Sequence, residues 1–529
     1  MSPLHRVTLS VFIVVLSALL TASQVIRAVA PTDNVPYEPL PADVIIETVV
    51  ANANQLVAMD FTPDGRLLYT EKTGALRVVV NDGLQPNPAY VFPSIDTQGE
   101  RGLLGIAVDP AFTLNNRVWV YLTRDRGSAT PRYENRVVTF VLPADNIVTE
   151  TKSAKSFPID FYDTIHNGGN LHFGPDNKLY VSVGNNDEAN QDADPAQDLT
   201  SPLGKIHRFA PDIPLKTPAD NPFPGKSIYA YGLRNSFDFE FDPVGGALFA
   251  TENGEACDDE INRVLPGYNY GWRPFYPPPP CDDYDGADTV YNTIQPLYFW
   301  TTSIAPTGLA FYTSDLIPEW TNDLFMCSYK DATTAIHHFK LNAARTAVVS
   351  HTILSDTLNH QSITCRTDLL TGPEGALYYS EGGGYPENNG PLKRLVRRTS
   401  IVDSVAQVLT GRSLAGGQAE VAVELRHRGT NSNSFTVLVD ASEQAEIIDA
   451  QATRGGVFPT SPHTLLWSGT VNGTETVVAT YTLHIAAAPT TPYLLANAIQ
   501  IDAPGATSLT LTPILIVNGL TSYLPIVRR

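Results

Sequence analysis

Basic residues are scarce in this chain. It has 35 Lys and Arg against 55 Asp and Glu over 529 residues, a formal charge of −20. A surface of that sign repels nucleic acid and anionic membranes, so polyanionic partners are excluded and cations are favoured. Long apolar runs are almost as rare. One stands at the start, Val7 to Leu20, and it is short for a membrane span. It follows Arg6 and runs into small residues at Thr21-Ala22-Ser23 and Ala28-Val29-Ala30, so residues 1–30 read as a secretory signal cut near residue 23 or 30. Those residues hold two arginines and no acid, and their loss leaves a formal charge of −22 with no membrane span in the mature chain. The expected location is secreted or cell-surface.

Cysteine occurs four times, at Cys257, Cys281, Cys327 and Cys365, with no close pair, which excludes the usual zinc motifs. Four cysteines suit an oxidising compartment. Cys257 and Cys281 flank one loop region and are expected to bridge. Cys327 and Cys365 fall in strand-like sequence and are expected to be buried thiols. Long amphipathic helical patterns are missing as well, which removes most helical and α/β folds.

What the chain has instead is a repeat. A short apolar strand, a Pro/Asp/Gly turn and a second apolar strand recur, with a third strand following. The copies are "MDFTPDGRLLYTE" from Met59, "IAVDPAFTLNNRVWVYLT" from Ile106, "LHFGPDNKLYVSVG" from Leu171, "FEFDPVGGALFATEN" from Phe239, "LAFYTSDLIPEWTNDLFMCSY" from Leu309 and "LLTGPEGALYYSEG" from Leu369. Pro presets φ in such a turn and Gly or Asn accepts the left-handed position. A spacing of ~45–70 residues is that of propeller blades, each of which buries its sheet only against neighbours. The repeats therefore predict an all-β fold, a six-bladed β-propeller over residues 40–400. Beyond Arg398 the texture changes to evenly spaced strands rich in Val, Leu, Thr and Ala, which predicts a small β-sandwich over 401–515 and a tail over 516–529. The sandwich carries no catalytic cluster; a spacer or cell-surface contact module is its expected role.

Propeller chemistry sits where loops converge over the central channel. The loops before successive first strands, or after second strands, offer Glu100, His166, Arg234 with Asn235, and Lys330. A base, two cations and a carboxylate around one channel could hold an anionic cofactor and remove a proton. Ion pairing between loops would account for the same residues. The acid-rich stretches 252–260 and 185–198 could bind calcium through carbonyls and carboxylates, and plain solvated acid is the preferred account of the second.

At these residues the chain resembles the soluble quinoprotein glucose/sorbosone dehydrogenases, whose relatives include hedgehog-interacting-protein-like propellers. The segments that carry the resemblance are "GERGLLGIAVDPAF", "HNGGNLHFGPDNKLYVSVGN", "DLTSPLGKIHRF", "YGLRNSFDFEFDP", "EINRVLPGYNYGW" and "GPEGALYYSEGG". The resemblance implies oxidation of a carbohydrate hydroxyl by hydride transfer to pyrroloquinoline quinone (PQQ), with Ca²⁺ as Lewis acid. His166 would be the base. Glu100, Asn186, Arg234, Asn235, Lys330 and Arg366 would contact the cofactor, and Trp300 would line the channel mouth. Gly254 and Glu255 would hold the metal. The chain departs from the family in four places. "CRTD" puts Cys365 and Thr367 where PQQ-binding members carry arginines. Ile165 precedes the histidine. Gly254-Glu255 stands for Gly-Pro, and Glu100 stands for a glutamine. Two other function classes stay open at this point: a non-catalytic propeller binding carbohydrate, cation or protein on its loop face, and a calcium-dependent lactonase-type hydrolase.

Overall fold

The structure is a computed structural model. It describes residues 35–518 except 42–43, 160–163, 187–194, 256–257, 273–292, 331–333, 357–360, 384–388, 398–404, 410–412, 427–432, 472–475, 488–490 and 503–508. The signal reading of residues 1–30, the tail from 519 and the expected Cys257–Cys281 bridge lie outside these residues. Among the described residues no helix is long and apolar enough to cross a membrane. Among the described residues helix is confined to Phe112–Asn115 and a 3-10 turn at Pro318–Trp320.

Each repeat forms the first strands of one antiparallel sheet. The first strands of the six sheets are Leu56–Phe61, Leu103–Val108, Leu171–Phe173, Phe239–Phe241, Pro306–Phe311 and Leu369–Thr371. The turns explain why the pattern repeats. Gly65, Asn177, Gly246 and Gly375 all take positive φ at the same place in the hairpin, the conformation that glycine and asparagine accept at least cost. The six first strands touch in cyclic order, with that of the sixth sheet against that of the first.

Six apolar cores fill the spaces between successive sheets. That is why second strands such as Leu67–Glu71 are buried along their whole length: Leu68 enters the core shared with the second sheet, Leu67 and Tyr69 the one shared with the sixth. Side-chain carboxylates stitch the inner strands together. Asp60 accepts from the Val108 N–H (2.7 Å), Asp238 from Leu309 (2.8 Å) and Asp368 from Met59 (2.5 Å). The last of these joins the sixth sheet to the first.

The N-terminal strand Val44–Ala53 completes the sixth sheet by pairing antiparallel with Gly390–Arg397, across some 340 residues of sequence. Just before it, Tyr37–Pro39 runs parallel to Val348–Ser355 at the edge of the fifth sheet. Tyr37–Pro39 thus joins the fifth sheet although it precedes residue 40. Cys327 and Cys365 are not thiols: they form a disulfide, with Cα atoms 5.0 Å apart, between the fifth sheet and the loop before the sixth. The two positions are strand-like in sequence, but the second lies in a loop that folds back over the first.

C-terminal to the ring, a four-stranded sheet (Val405–Val408, Gln418–Arg426, Thr476–Ile485, Ala445–Ala452) and a five-stranded sheet share one apolar core. The five strands are Gly456–Pro459, Thr464–Val471, Asn433–Asp440, Ala498–Asp502 and Leu509–Leu511.

Candidate active site

On one rim of the ring, the loops that lead into first strands meet the loops that leave second strands. A continuous set of contacts runs around this rim. It begins at Glu100, whose carboxylate accepts from the His166 backbone N–H at 2.6 Å and from the Asn235 amide at 3.5 Å. His166 is buried and takes φ +53°, a left-handed backbone uncommon outside glycine. Its surroundings over-determine that conformation. The His166 carbonyl accepts from both the backbone N–H and the side-chain amide of Asn186 (3.1 and 2.8 Å). A Cβ on Gly184 would lie 2.1 Å from the same carbonyl. Gly168 follows at φ +58° and donates to the Asn235 side-chain oxygen at 2.9 Å. The glycine pair after the histidine is thus explained: the chain folds flat against the second strand of its own sheet, and the loop of the fourth sheet receives its N–H.

The imidazole has a partner that orients it. His166 Nδ1 lies 2.8 Å from the Asn185 side-chain oxygen. A neutral ring that donates from Nδ1 carries its lone pair on Nε2, the tautomer a general base needs. Ile165, the residue before the histidine, offers no carboxylate for this task. The residue that does it comes from the end of the second strand, 19 positions away.

The arc continues through the fourth sheet. The buried Glu252 carboxylate accepts from the backbone N–H groups of Arg234 and Asn235 (2.7 and 2.6 Å) and from the Ser236 hydroxyl (2.6 Å). Burial pushes this carboxyl up to about 7, against the lowering effect of those donors and of Arg234. The Arg234 guanidinium lies over the Trp272 ring at 5.2 Å and donates to the Asn253 carbonyl at 3.1 Å. Gly254 donates to Asp259, which also accepts from Ile304 and Ala305 (2.6 and 2.8 Å), so one carboxylate ties the candidate calcium loop to the fifth sheet. Beside it, burial and the Asp259 charge raise Asp258 to about 6.

Lys330, exposed, bonds through its backbone N–H to the Ile304 carbonyl. The Arg366 guanidinium rests over the Tyr329 ring at 5.3 Å and donates to the Tyr329 carbonyl at 3.3 Å. Simple strand alternation from Cys365 and Thr367 would turn Arg366 to the opposite side, unless a bulge re-aims it. It is instead held next to Lys330, because its neighbours are committed elsewhere: Cys365 to the disulfide, and buried Thr367 to the Leu56 carbonyl at 2.9 Å.

Three expected contacts are placed differently. Trp300 does not line the channel mouth. It lies in the outermost strand of the fourth sheet, buried with Tyr298, His337, Phe339 and His351. Asn186 is fully buried and anchors the His166 backbone from below. One Glu100 oxygen is spent on protein donors rather than turned to a ligand. Sequence reasoning missed Asn185, Glu252, Asp259, Trp272 and Tyr329. All but Trp272 stand within a few positions of a residue that was chosen, and only the fold shows which neighbour is turned inward.

The donor set fits an anionic quinone and a hard cation. Arg234, Lys330 and Arg366 supply positive charge along one arc. Among the described residues no three His, Cys, Asp or Glu side chains gather to hold a metal, so a cation here would rely on carbonyl oxygens such as those of Gly254 and Glu255.

Residues 53–393 match the family model described as Glucose / Sorbosone dehydrogenase. The chain is 30% identical over 359 residues to aldose sugar dehydrogenase YliI of Escherichia coli, covering 64% of this chain and 90% of that one. It is also 30% identical over 258 residues to quinoprotein glucose dehydrogenase B of Acinetobacter calcoaceticus, covering 43% and 52%. The crystal structure of the E. coli soluble aldose sugar dehydrogenase in its apo form is similar, with TM-score 0.54, 28% identity, 67% of this chain and 100% of that chain. The C-terminal sheets lie beyond the matched residues. The chain belongs to the glucose/sorbosone dehydrogenase family, β-propeller oxidoreductases that act on CH–OH groups.

Proposed function

We propose that the chain is an exported PQQ- and Ca²⁺-dependent dehydrogenase of aldose-type sugars, with the six sheets as six blades and the C-terminal sheets as a separate sandwich domain for surface contact. The observation that carries this reading is His166: a buried histidine, set by Asn185 in the tautomer that exposes a lone pair on Nε2, on the rim where Arg234, Lys330 and Arg366 also stand. When bound, PQQ supplies the quinone that accepts the hydride, and Ca²⁺ polarises it. His166 Nε2 takes the proton of the sugar hydroxyl as its C–H bond breaks. Asn185 holds the ring so that no tautomer change is needed first. Arg234, Lys330 and Arg366 neutralise the cofactor's acid groups, with the Trp272 and Tyr329 rings stacked on the two guanidinium groups. The carbonyls of Gly254 and Glu255 hold the cation.

The test is reconstitution: purified protein with PQQ and Ca²⁺, assayed for dye reduction over an aldose panel. Saturable turnover that needs both additions supports the reading, and none over the panel rejects it. One observation favours a non-catalytic propeller instead. Cys365 and Thr367 stand where PQQ-binding members carry arginines, and both are committed to protein contacts. Calorimetric titration with PQQ that gives no binding would select that alternative.

A further inference from the structure

The hairpin 126–132 of the second sheet follows its second strand, as Asn185, Gly254 and Lys330 follow the second strands of the next three sheets. It is unusual in a chain so poor in basic residues, because Arg101, Arg124, Arg126, Arg132 and Arg136 all gather there. The acids that face them are fewer. Asp96 pairs with Arg101 at 2.8 Å and Asp125 with Arg132 at 2.7 Å. Glu134 alone serves the remaining three: it bonds Arg136 and the Ser156 hydroxyl, and lies 4.0 Å from Arg126.

Register explains the crowding. Arg124 pairs directly opposite Glu134, Arg136 is two positions further along that strand, and Arg126 two beyond Arg124, so all four share one face. Among the described residues Arg124 makes no side-chain hydrogen bond or ion pair, and it is half-buried. Burial, together with the charges of Arg124 and Arg126, holds the Arg136 pKa below its ordinary value despite the pull of Glu134. From the opposite face of the same strands, Thr123 holds Asn135, which reaches Asn186 beneath His166. The arginines are therefore separated from the histidine's support by one sheet.

We propose that this rim is an oxyanion subsite at the channel mouth, with Arg124 receiving the carboxylate or phosphate group of a small molecule and Arg126 and Arg136 beside it. Guanidinium pairs such anions through two parallel N–H bonds, and an acidic surface elsewhere would repel the same ligand. The anion has two possible sources under the dehydrogenase reading, on which this part rests: an acidic sugar as substrate, or an anionic electron acceptor.

Titration calorimetry with inorganic phosphate at low salt tests the subsite without any turnover. Wild type should bind, with affinity falling as salt rises. Arg124→Gln should weaken binding about tenfold. Arg124→Lys, which keeps the charge, should lose less, and Arg454→Gln in the C-terminal sheets should change nothing. Absence of phosphate binding in wild type, or equal binding by a folded Arg124→Gln, overturns the proposal. In the reconstituted enzyme, a selective loss of kcat/KM for glucuronate relative to glucose assigns the anion to the substrate. A selective loss for ferricyanide relative to a neutral quinone assigns it to the acceptor. Active enzyme with neither loss overturns the subsite. An enzyme without turnover that still binds phosphate through Arg124 overturns only the dehydrogenase reading.

Discussion

Between the six sheets of the ring, apolar cores alternate with buried carboxylates, imidazoles and guanidinium groups. The C-terminal sheets close on hydrocarbon, and Ser413 and Asn497 are the buried polar residues among those described there. A buried polar group costs free energy unless it is paired. The ring can bury many because its inner strands converge: each carboxylate finds the N–H of the next sheet within reach. Among the described residues of the C-terminal sheets the strands meet instead through one apolar core. Catalysis and stability should therefore separate along this boundary.

The largest effect should come from the rim. His166→Gln is expected to lower turnover ~10²–10⁴-fold, the usual contribution of a general base. Melting temperature should stay within a degree or two of wild type. Loss of activity accompanied by a large fall in melting temperature would mean that the histidine is structural.

Across the boundary the result should invert. Trp467 is 1% exposed at the centre of the C-terminal core. Trp467→Ala should destabilise that unit by ~3–5 kcal/mol, seen as an earlier calorimetric transition, with kcat unchanged. A matching loss of kcat would show that the two units are coupled.

The closure of the ring comes next. Asp368 accepts the backbone N–H groups of Met59 and Leu369 (2.5 and 2.8 Å). Asp368→Ala should orphan both at ~1–3 kcal/mol each and lower the ring's transition while leaving the C-terminal one in place. Chemical denaturation followed by ring-specific tryptophan fluorescence would measure it.

The smallest is a pH slope. His172 sits on the inner strand of the third sheet, with Asp238 at 2.9 Å and Glu240 at 3.9 Å. Burial alone would lower its pKa, but the Asp238 hydrogen bond and the charges of Asp238, Glu240 and Asp60 hold it at about 10. Its folded value lies above the unfolded one, so the stability it contributes is complete below about pH 6.5 and is lost as pH rises toward 10. The slope should be roughly 1.4 kcal/mol per pH unit at most. Thermal melts from pH 7 to 10 should show it in wild type, and His172→Gln should flatten it.

Much of the ring was legible in the sequence because it is local. Strand, turn and strand lie within about 15 residues, and each turn needs one left-handed residue, so glycine and asparagine mark it. The closure was not legible. Val44–Ala53 reads as an ordinary strand, and nothing nearby says that its partner is Gly390–Arg397. The site divides the same way. His166, Arg234 and Lys330 stand beside strand ends and were found by position, whereas Arg366 came only from the family resemblance. Trp300 was misplaced because aromatic character does not reveal which strand of a sheet carries it. Asn185 was passed over because its role, orienting the ring of His166, depends on a hairpin that brings together residues 19 apart. The Cys327–Cys365 pairing escaped for the same reason.

The central claim is tested most directly by single-turnover reduction of bound quinone. PQQ- and Ca²⁺-loaded protein, held without an electron acceptor, is mixed with excess aldose while the quinone absorbance is followed. The account predicts rapid bleaching in wild type and a rate at least ~10²-fold lower in His166→Gln at equal PQQ occupancy. Bleaching at the same rate in both proteins, or none in a wild-type protein shown to hold PQQ, would contradict it.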